Sequence, residues 1–386
     1  MKSSQERILT THVGSLPRSD AVLKLLEARE ANAAYDEAGF DRTVRQAVVD
    51  IVKRQVDTGI DIVSDGETSK ISYATYVHDR LAGFSNEGSP GPAKPHLDVA
   101  PFPDFRKKMA QLTGAQRFKR VTCVGPIKVQ NRDALTRDLA NMRAAVDAAG
   151  PTEAFLTAAS PGVVASFLPN RYYSSHEAYI EAIADAMREE YEAIVAAGFI
   201  LQLDCPDLAM SRHTGFQDLT EAEFLKRAAF HVDVLNHALA KVPANKVRMH
   251  VCWGNYEGPH THDIDFSKIA GIVLGAKVQG IALEAANPRH AHEWAVWKEV
   301  KLPDDKLLLP GVIDTSTNYV EHPSLVAERI VRFADIVGRE RVIANSDCGF
   351  GTAAGSGKLD PEIVFLKLGA LVAGAAQASK QLWGRA

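Results

Sequence analysis

Short apolar runs alternate along the chain with longer stretches in which apolar residues recur every three or four positions. The runs ILTTHVGS (8–15), IDIVSDGE (60–67), AFLTAAS (154–160), FILQLDC (199–205), KVRMHVCW (246–253), GIALEAA (280–286), KLLLPGVID (306–314) and RVIANSDC (341–348) predict eight strands. Residues 41–58 carry Val44, Ala47, Val48, Ile51, Val52 and Val56 at helical spacing, with Gly59 as the stop. Residues 177–197 and 221–240 repeat the pattern through Ile180, Ile183, Met187, Tyr191 and Ile194, and through Leu225, Ala228, Val232, Leu235 and Leu239. Further helices are expected near 265–275, near 290–300, at 323–337 and near 360–377. Alternating strand and helix imply a parallel sheet. Eight such units predict an α/β fold, a (β/α)8 TIM barrel formed by one domain over residues 1–386.

The rhythm fails between about 68 and 150, read here as an insertion after the second strand. Gly88 to Pro95 is too rich in proline and glycine to be anything but loop. VTCVGPIKVQ (121–130) predicts two short strands on either side of Gly125-Pro126.

Reactive side chains stand at the carboxyl ends of the predicted strands: Ser15, Glu67, Ser160, Asp204, His250 with Cys252, Glu284, Asp314 and Cys348. In a closed barrel these ends converge on one mouth, where such folds keep their active sites; in an open sheet they would be strung along an edge. His250 and Cys252 are two apart on a strand, so both point the same way. With Cys348 and Glu284 they make two thiolates, an imidazole and a carboxylate, a ligand set suited to zinc and unsuited to magnesium or calcium. Glu284 could equally bind substrate. Zinc held by thiolates suits the ionisation of a further, substrate thiol, which points to alkyl transfer onto sulfur; hydrolysis is the competing use.

Composition narrows the partners. Lys and Arg number 44 against 48 Asp and Glu, a net charge of −4, so nucleic acid is not an expected partner. No apolar run reaches the roughly 18 residues of a membrane span, and the first residues lack a signal-peptide core, so the expected compartment is the cytoplasm, without a membrane partner. Four cysteines in 386 residues do not make a disulfide scaffold. Oligomeric state is left open.

The set THVGSLPRS (11–19), VSDGE (63–67), LQLDCPD (201–207), MHVCW (249–253), LEAAN (283–287), LPGVID (309–314) and SDCGFG (346–351) resembles the catalytic half of cobalamin-independent methionine synthase and its single-domain zinc relatives, which include epoxyalkane:coenzyme M transferase. The resemblance implies a zinc-dependent transferase of methyl or alkyl groups to a small-molecule thiol. It implies His250, Cys252, Glu284 and Cys348 as zinc ligands, and Ser15, Glu67 and Asp204 as binders of an amino-acid thiol. Asp314 is the expected catalytic residue, where the alkyl donor would enter.

The chain departs from the family pattern in three places. Asp204 is followed by Cys205 instead of glutamate; no histidine follows Asp314 until His322; and residues 160–170 lack the tryptophan that stacks on folate. These departures leave thiol activation in place and the alkyl donor open. Thiol addition to an epoxide is the alternative within the same chemistry. A metal-free decarboxylase resembling uroporphyrinogen decarboxylase and a non-catalytic binding barrel are the alternatives of other classes. Of the remaining candidates, His260 and His262 are expected in a solvated loop, Arg18 on an anion or in solvent, Cys123 and Cys205 in the core, and Tyr73, Tyr76, Trp253 and Phe350 at the barrel rim. GFGTAAGSG (349–357) reads as a movable lid beside Cys348.

Overall fold

The computed structural model describes residues 1–31, 33–86, 94–113, 121–355 and 359–384. Most of the Gly88–Pro95 loop and the last two residues of the 349–357 segment lie outside them. Ten strands occur among the described residues: β1 (Leu9–Thr10), β2 (Ile62–Ser64), β3 (Leu81–Ser85), β4 (Thr122–Val129), β5 (Glu153–Ala159), β6 (Ile200–Asp204), β7 (Val247–Val251), β8 (Gly280–Leu283), β9 (Leu307–Ile313) and β10 (Ile343–Ser346). Eight form one parallel sheet in the order β1-β10-β9-β8-β7-β6-β5-β2. A bridge between Thr11 and Ile62 joins its two ends and closes the ring. This is the TIM barrel expected from the alternation of strand and helix.

Two layers of apolar residues hold it. Inside the ring, Leu9, Ile62, Phe155, Ile200, Ala282, Leu307, Leu309 and Ile343 pack as a plug at the amino-terminal end. Outside, the second face of each strand packs on the helices. Helix Glu37–Thr58 buries Phe40, Val44, Val48 and Val52 and ends at Gly59 with φ 97°, a left-handed stop that glycine adopts without strain. Helix Glu221–Ala238 opens with a capping box between Thr220 and Glu223. Helix Pro361–Trp383 is long and apolar enough to cross a membrane by length and composition. Here it buries Val364, Leu368, Leu371 and Ala375 and packs on helix Pro323–Val337 and on β1.

Above the plug lies a polar layer. Arg248 is fully buried; its guanidinium donates to Gln202 Oε1 at 2.7 Å, Thr11 Oγ1 at 3.0 Å and the His12 carbonyl at 2.7 Å, and stacks 3.5 Å from the centre of the Phe155 ring. A buried guanidinium needs such partners, because an unpaired charge there would be very costly.

The stretch after β2 differs in detail from expectation. Residues 121–130 form one strand instead of two, antiparallel to β3. Pro126 lacks an N–H, but the ladder is already irregular between Ala82 and Phe84. Gly83, at φ 99°, makes room there: a side chain would meet the Gly125 and Pro126 carbonyls at 2.8 and 2.9 Å. Helix Asp133–Ala149, also in this stretch, packs along helix Glu37–Thr58 in the outer ring. The expected helix near 290–300 is a short 3-10 turn, Glu293–Lys298. Side-chain anchors account for it: Glu293 Oε1 accepts from the Phe266 N–H at 2.8 Å, and Trp297 packs against the Phe266 ring.

Candidate metal centre at the barrel mouth

β7 and β10 bring the expected sulfur ligands together. Strand alternation puts Arg248, His250 and Cys252 on one side of β7, facing the interior. Cys348 follows β10. One ligand atom from each of His250, Cys252 and Cys348 lies within 4.8 Å of the others. Cys348 Sγ is 3.4 Å from His250 Nε2 and 3.4 Å from Glu284 Oε1. A tetrahedral ion with bonds of about 2.0 Å to nitrogen and 2.3 Å to sulfur holds neighbouring ligand atoms about 3.5 Å apart. The observed separations fit such an ion.

Electrostatics separate the two thiols. A hydrogen bond from Cys348, with another from His250, pulls Cys252 well below the ordinary thiol range in spite of burial. Burial and the neighbouring Cys252 charge push Cys348 up. The His250 ring is buried, which works against its charge, but Cys252 and two carboxylates raise its pKa. His250 Nδ1 is buried with no hydrogen-bond partner. Burial, then the Cys252 charge, raises Glu284 to about 8.

Glu284 is held by its surroundings. Oε1 accepts from the Trp253 N–H at 3.1 Å and Oε2 from Asn287 Nδ2 at 2.8 Å. Asp347, beside Cys348, accepts the backbone N–H groups of Ala285, Ala286 and Asn287, each at 2.8 Å. It thereby fixes the turn that carries Glu284. Gly311 on β9 permits this approach, since a side chain there would stand 2.0 Å from Asp347 Oδ1. Asp347 was not singled out from the sequence, although its place next to a ligand cysteine was a signal.

Glu67 and Asp204 lie on the same mouth, both buried. Glu67 sits at φ 57° after the Asp65-Gly66 turn, and its buried Oε2 has no hydrogen-bond partner but lies 4.0 Å from Arg18 Nη2. Burial raises its pKa, while Lys70 and Arg18 oppose the rise. Burial, then the charge of Glu67, raises Asp204 to about 8. Lys70, also missed from the sequence, is buried with Nζ 2.5 Å from the Thr157 carbonyl. Tyr73 is close enough to Cys252, Asp204, Cys348 and Glu67 that, after burial, their charges hold its hydroxyl far above its ordinary pKa.

Ser15 is tied to the segment after β10: its carbonyl accepts from Phe350 N at 2.8 Å and its Oγ from Gly351 N at 3.3 Å. That segment is strapped down where a movable lid was expected. Arg18 donates to the Gly351 carbonyl, Asn255 to the Gly349 carbonyl, and Ala354 N to the Ile71 carbonyl. Arg18 is thus not a solvated side chain: it is buried, donates to the Glu67 and Gly351 carbonyls and lies 4.0 Å from the Glu67 carboxylate. Asp314 is not a member of the cluster formed by His250, Cys252 and Cys348. Oδ1 accepts from the backbone and hydroxyl of Ser316, and Oδ2 from those of Thr317, so its carboxylate caps its own turn. Cys123 and Cys205 are buried, and all four cysteines are free. His260, expected in solvent, is buried beside Asp263; His262 is 46% exposed.

A parallel (β/α)8 barrel whose mouth gathers two thiols, an imidazole and supporting carboxylates belongs to the class of barrels with a candidate metal site at the carboxyl ends of the strands. The model of the cobalamin-independent synthase catalytic domain matches residues 8–89 and 127–372. A methionine synthase of Thermococcus kodakarensis is 26% identical over 366 residues, covering 95% of this chain and 91% of the relative. One from Sulfolobus acidocaldarius is 24% identical over 341 residues, covering 88% and 85%. The solved B12-independent methionine synthase of Shewanella sp. W3-18-1, in complex with selenomethionine, superposes with a TM-score of 0.72 over 98% of this chain and all of that one, at 19% identity. The chain belongs to the cobalamin-independent synthase family, and it is a methionine-synthase-like methyltransferase.

Proposed function

We propose that the enzyme transfers a methyl group to the thiol of homocysteine, with zinc held by His250, Cys252 and Cys348 and with Glu284 as the fourth protein donor or its replacement on substrate binding. The observation that carries this reading is the sulfur-rich cluster beside two buried, partner-poor carboxylates on one mouth. Zinc, when bound, lowers the pKa of a coordinating thiol and so supplies a nucleophile at neutral pH. Everything else falls to the chain. Glu67 Oε2, which has no hydrogen-bond partner, and the Asp204 carboxylate accept from the substrate ammonium, which favours ionisation of both. Ser15, with backbone N–H groups of its turn, holds the substrate carboxylate. Lys70 and Arg18 oppose the rise that burial imposes on Glu67. Tyr73, protonated across the working pH range, covers the sulfur atoms and excludes water. Asp314 shapes the loop over which the donor approaches.

Zinc X-ray absorption with and without homocysteine tests the reading: one added sulfur neighbour is expected, and an unchanged shell would overturn it. Parallel assays with methyltetrahydrofolate plus homocysteine, and with an epoxide plus coenzyme M, separate methyl transfer from epoxide opening. The cysteine cluster speaks against a metal-free decarboxylase.

A further inference from the structure

On the far side of the Trp253 indole, four loops assemble a second collection of donors. Asp98 comes from the stretch after β2, His213 from the loop after β6, His260 and Asp263 from the loop after β7, and His290 from the loop after β8. Asp263 Oδ2 lies 3.0 Å from both His260 Nδ1 and His290 Nε2. Its other oxygen, Oδ1, is buried and has no hydrogen-bond partner. Asp98 Oδ1 accepts from His262 N at 2.8 Å, and Oδ2 from the Tyr256 hydroxyl at 2.5 Å.

His213 stands between the two aspartates. It is fully buried, and neither ring nitrogen makes a hydrogen bond. Yet Nδ1 is 3.4 Å from Asp263 Oδ1 and Nε2 is 3.5 Å from Asp98 Oδ2. Leaving a buried imidazole and carboxylate oxygen unsatisfied is unfavourable, because each gives up the hydrogen bonds it makes to water. These separations are too long and too poorly directed for hydrogen bonds. Only one ring nitrogen can bind a given ion; the Nδ1–Asp263 Oδ1 separation matches the spacing of neighbouring ligands, whose bonds to nitrogen and oxygen are about 2.0–2.2 Å. One ligand atom from each of Asp98, His213 and Asp263 lies within 4.8 Å of the others.

We propose that Asp98, His213 and Asp263 bind a divalent transition-metal ion, separate from the sulfur site. The histidines divide the work. His213 offers the ion a buried ring nitrogen that no hydrogen bond occupies. His290 Nε2 and His260 Nδ1 engage Asp263 Oδ2 and leave Oδ1 for the ion. An all nitrogen and oxygen donor set suits zinc, manganese, iron(II) or cobalt. The His290 ring stacks on Trp253 at 4.1 Å, and Trp253 follows Cys252 and donates to Glu284. The ion therefore fastens the loops around the sulfur site and takes no part in the transfer itself.

Cobalt(II) titration of the chelator-stripped protein separates the two sites. Wild type is expected to take up about two ions per chain, of which one gives sulfur-to-cobalt charge-transfer absorption. His213→Ala keeps that band and binds one ion fewer. Cys252→Ala with Cys348→Ala loses the band and still binds one ion, which disappears when His213→Ala is added. The cysteine variant keeps the test open if His213→Ala does not fold. Uptake of a single ion by wild type, or of none by the double cysteine variant, overturns the proposal.

Discussion

Cys348 Sγ lies 3.4 Å from His250 Nε2, although 98 residues separate them in the chain. Their meeting depends on β7 and β10 ending at the same height in a closed ring, not on any local motif. Cys252→Ala and Cys348→Ala are expected to fold, since both side chains stand at the mouth and not in the packed layers, and to lose the ion of the sulfur site and the activity. Metal analysis beside circular dichroism checks this. A Cys348→Ala enzyme with full metal content would sink the assignment. Stripping the wild type with a chelator should likewise abolish turnover while far-ultraviolet dichroism persists, because a core of this size needs no metal to fold.

Asp347 carries out its task through other residues. Removing its carboxylate in Asp347→Ala frees three backbone N–H groups and the turn that bears Glu284. Loss of such an outer partner costs roughly 10–100-fold in metal affinity. Competition against a chromophoric chelator measures it. Unchanged affinity would mean that Glu284 needs no such support.

Glu67→Gln and Asp204→Asn should leave the metal in place and weaken the amino-acid thiol. Each removes a charge-assisted hydrogen bond of about 1.5–3 kcal/mol, so KM for homocysteine should rise roughly 10–100-fold. Thiols lacking an ammonium group should be affected far less. An equal loss for both kinds of thiol would show that the carboxylates do not read the ammonium.

His78 sets a pH dependence of stability away from the site. Burial opposes its charge, but Asp79 and Glu30 overcome this and lift its pKa from 6.5 to about 9. Its folded pKa lies above the unfolded value, so its contribution is complete below pH 6.5 and fades as pH rises towards 9. The ceiling is about 3 kcal/mol, from about 1.4 kcal/mol per pKa unit. His78→Gln should lower the urea midpoint at pH 6 and leave it nearly unchanged at pH 9.5. A variant equally destabilised at both values would refute the linkage.

Much of the architecture was legible because barrel strands and their helices announce themselves through local periodicity. His250 and Cys252 were legible for the same reason: residues two apart on a strand share a side. Arg248 obeys the same parity, yet its interior position went unread, since a charge inside a barrel becomes intelligible only once Gln202, Thr11 and Phe155 are seen around it. The one strand through Pro126 was hidden because its tolerance depends on an irregular ladder with β3, a non-local fact. His213 and Asp98 gave no signal at all. They belong to loops that meet only in three dimensions, and nothing in their spacing anticipates the encounter.

β1 is two residues long, and its strand partners are β10 and, through a single bridge, β2. During synthesis the amino-terminal end of the ring must wait for residues 343–346 to leave the ribosome before it can be sealed. Cys348 emerges just behind them. A nascent chain thus lacks both its last stave and the Cys348 thiol until β10 has emerged, so the sulfur cluster is assembled only in a closed barrel.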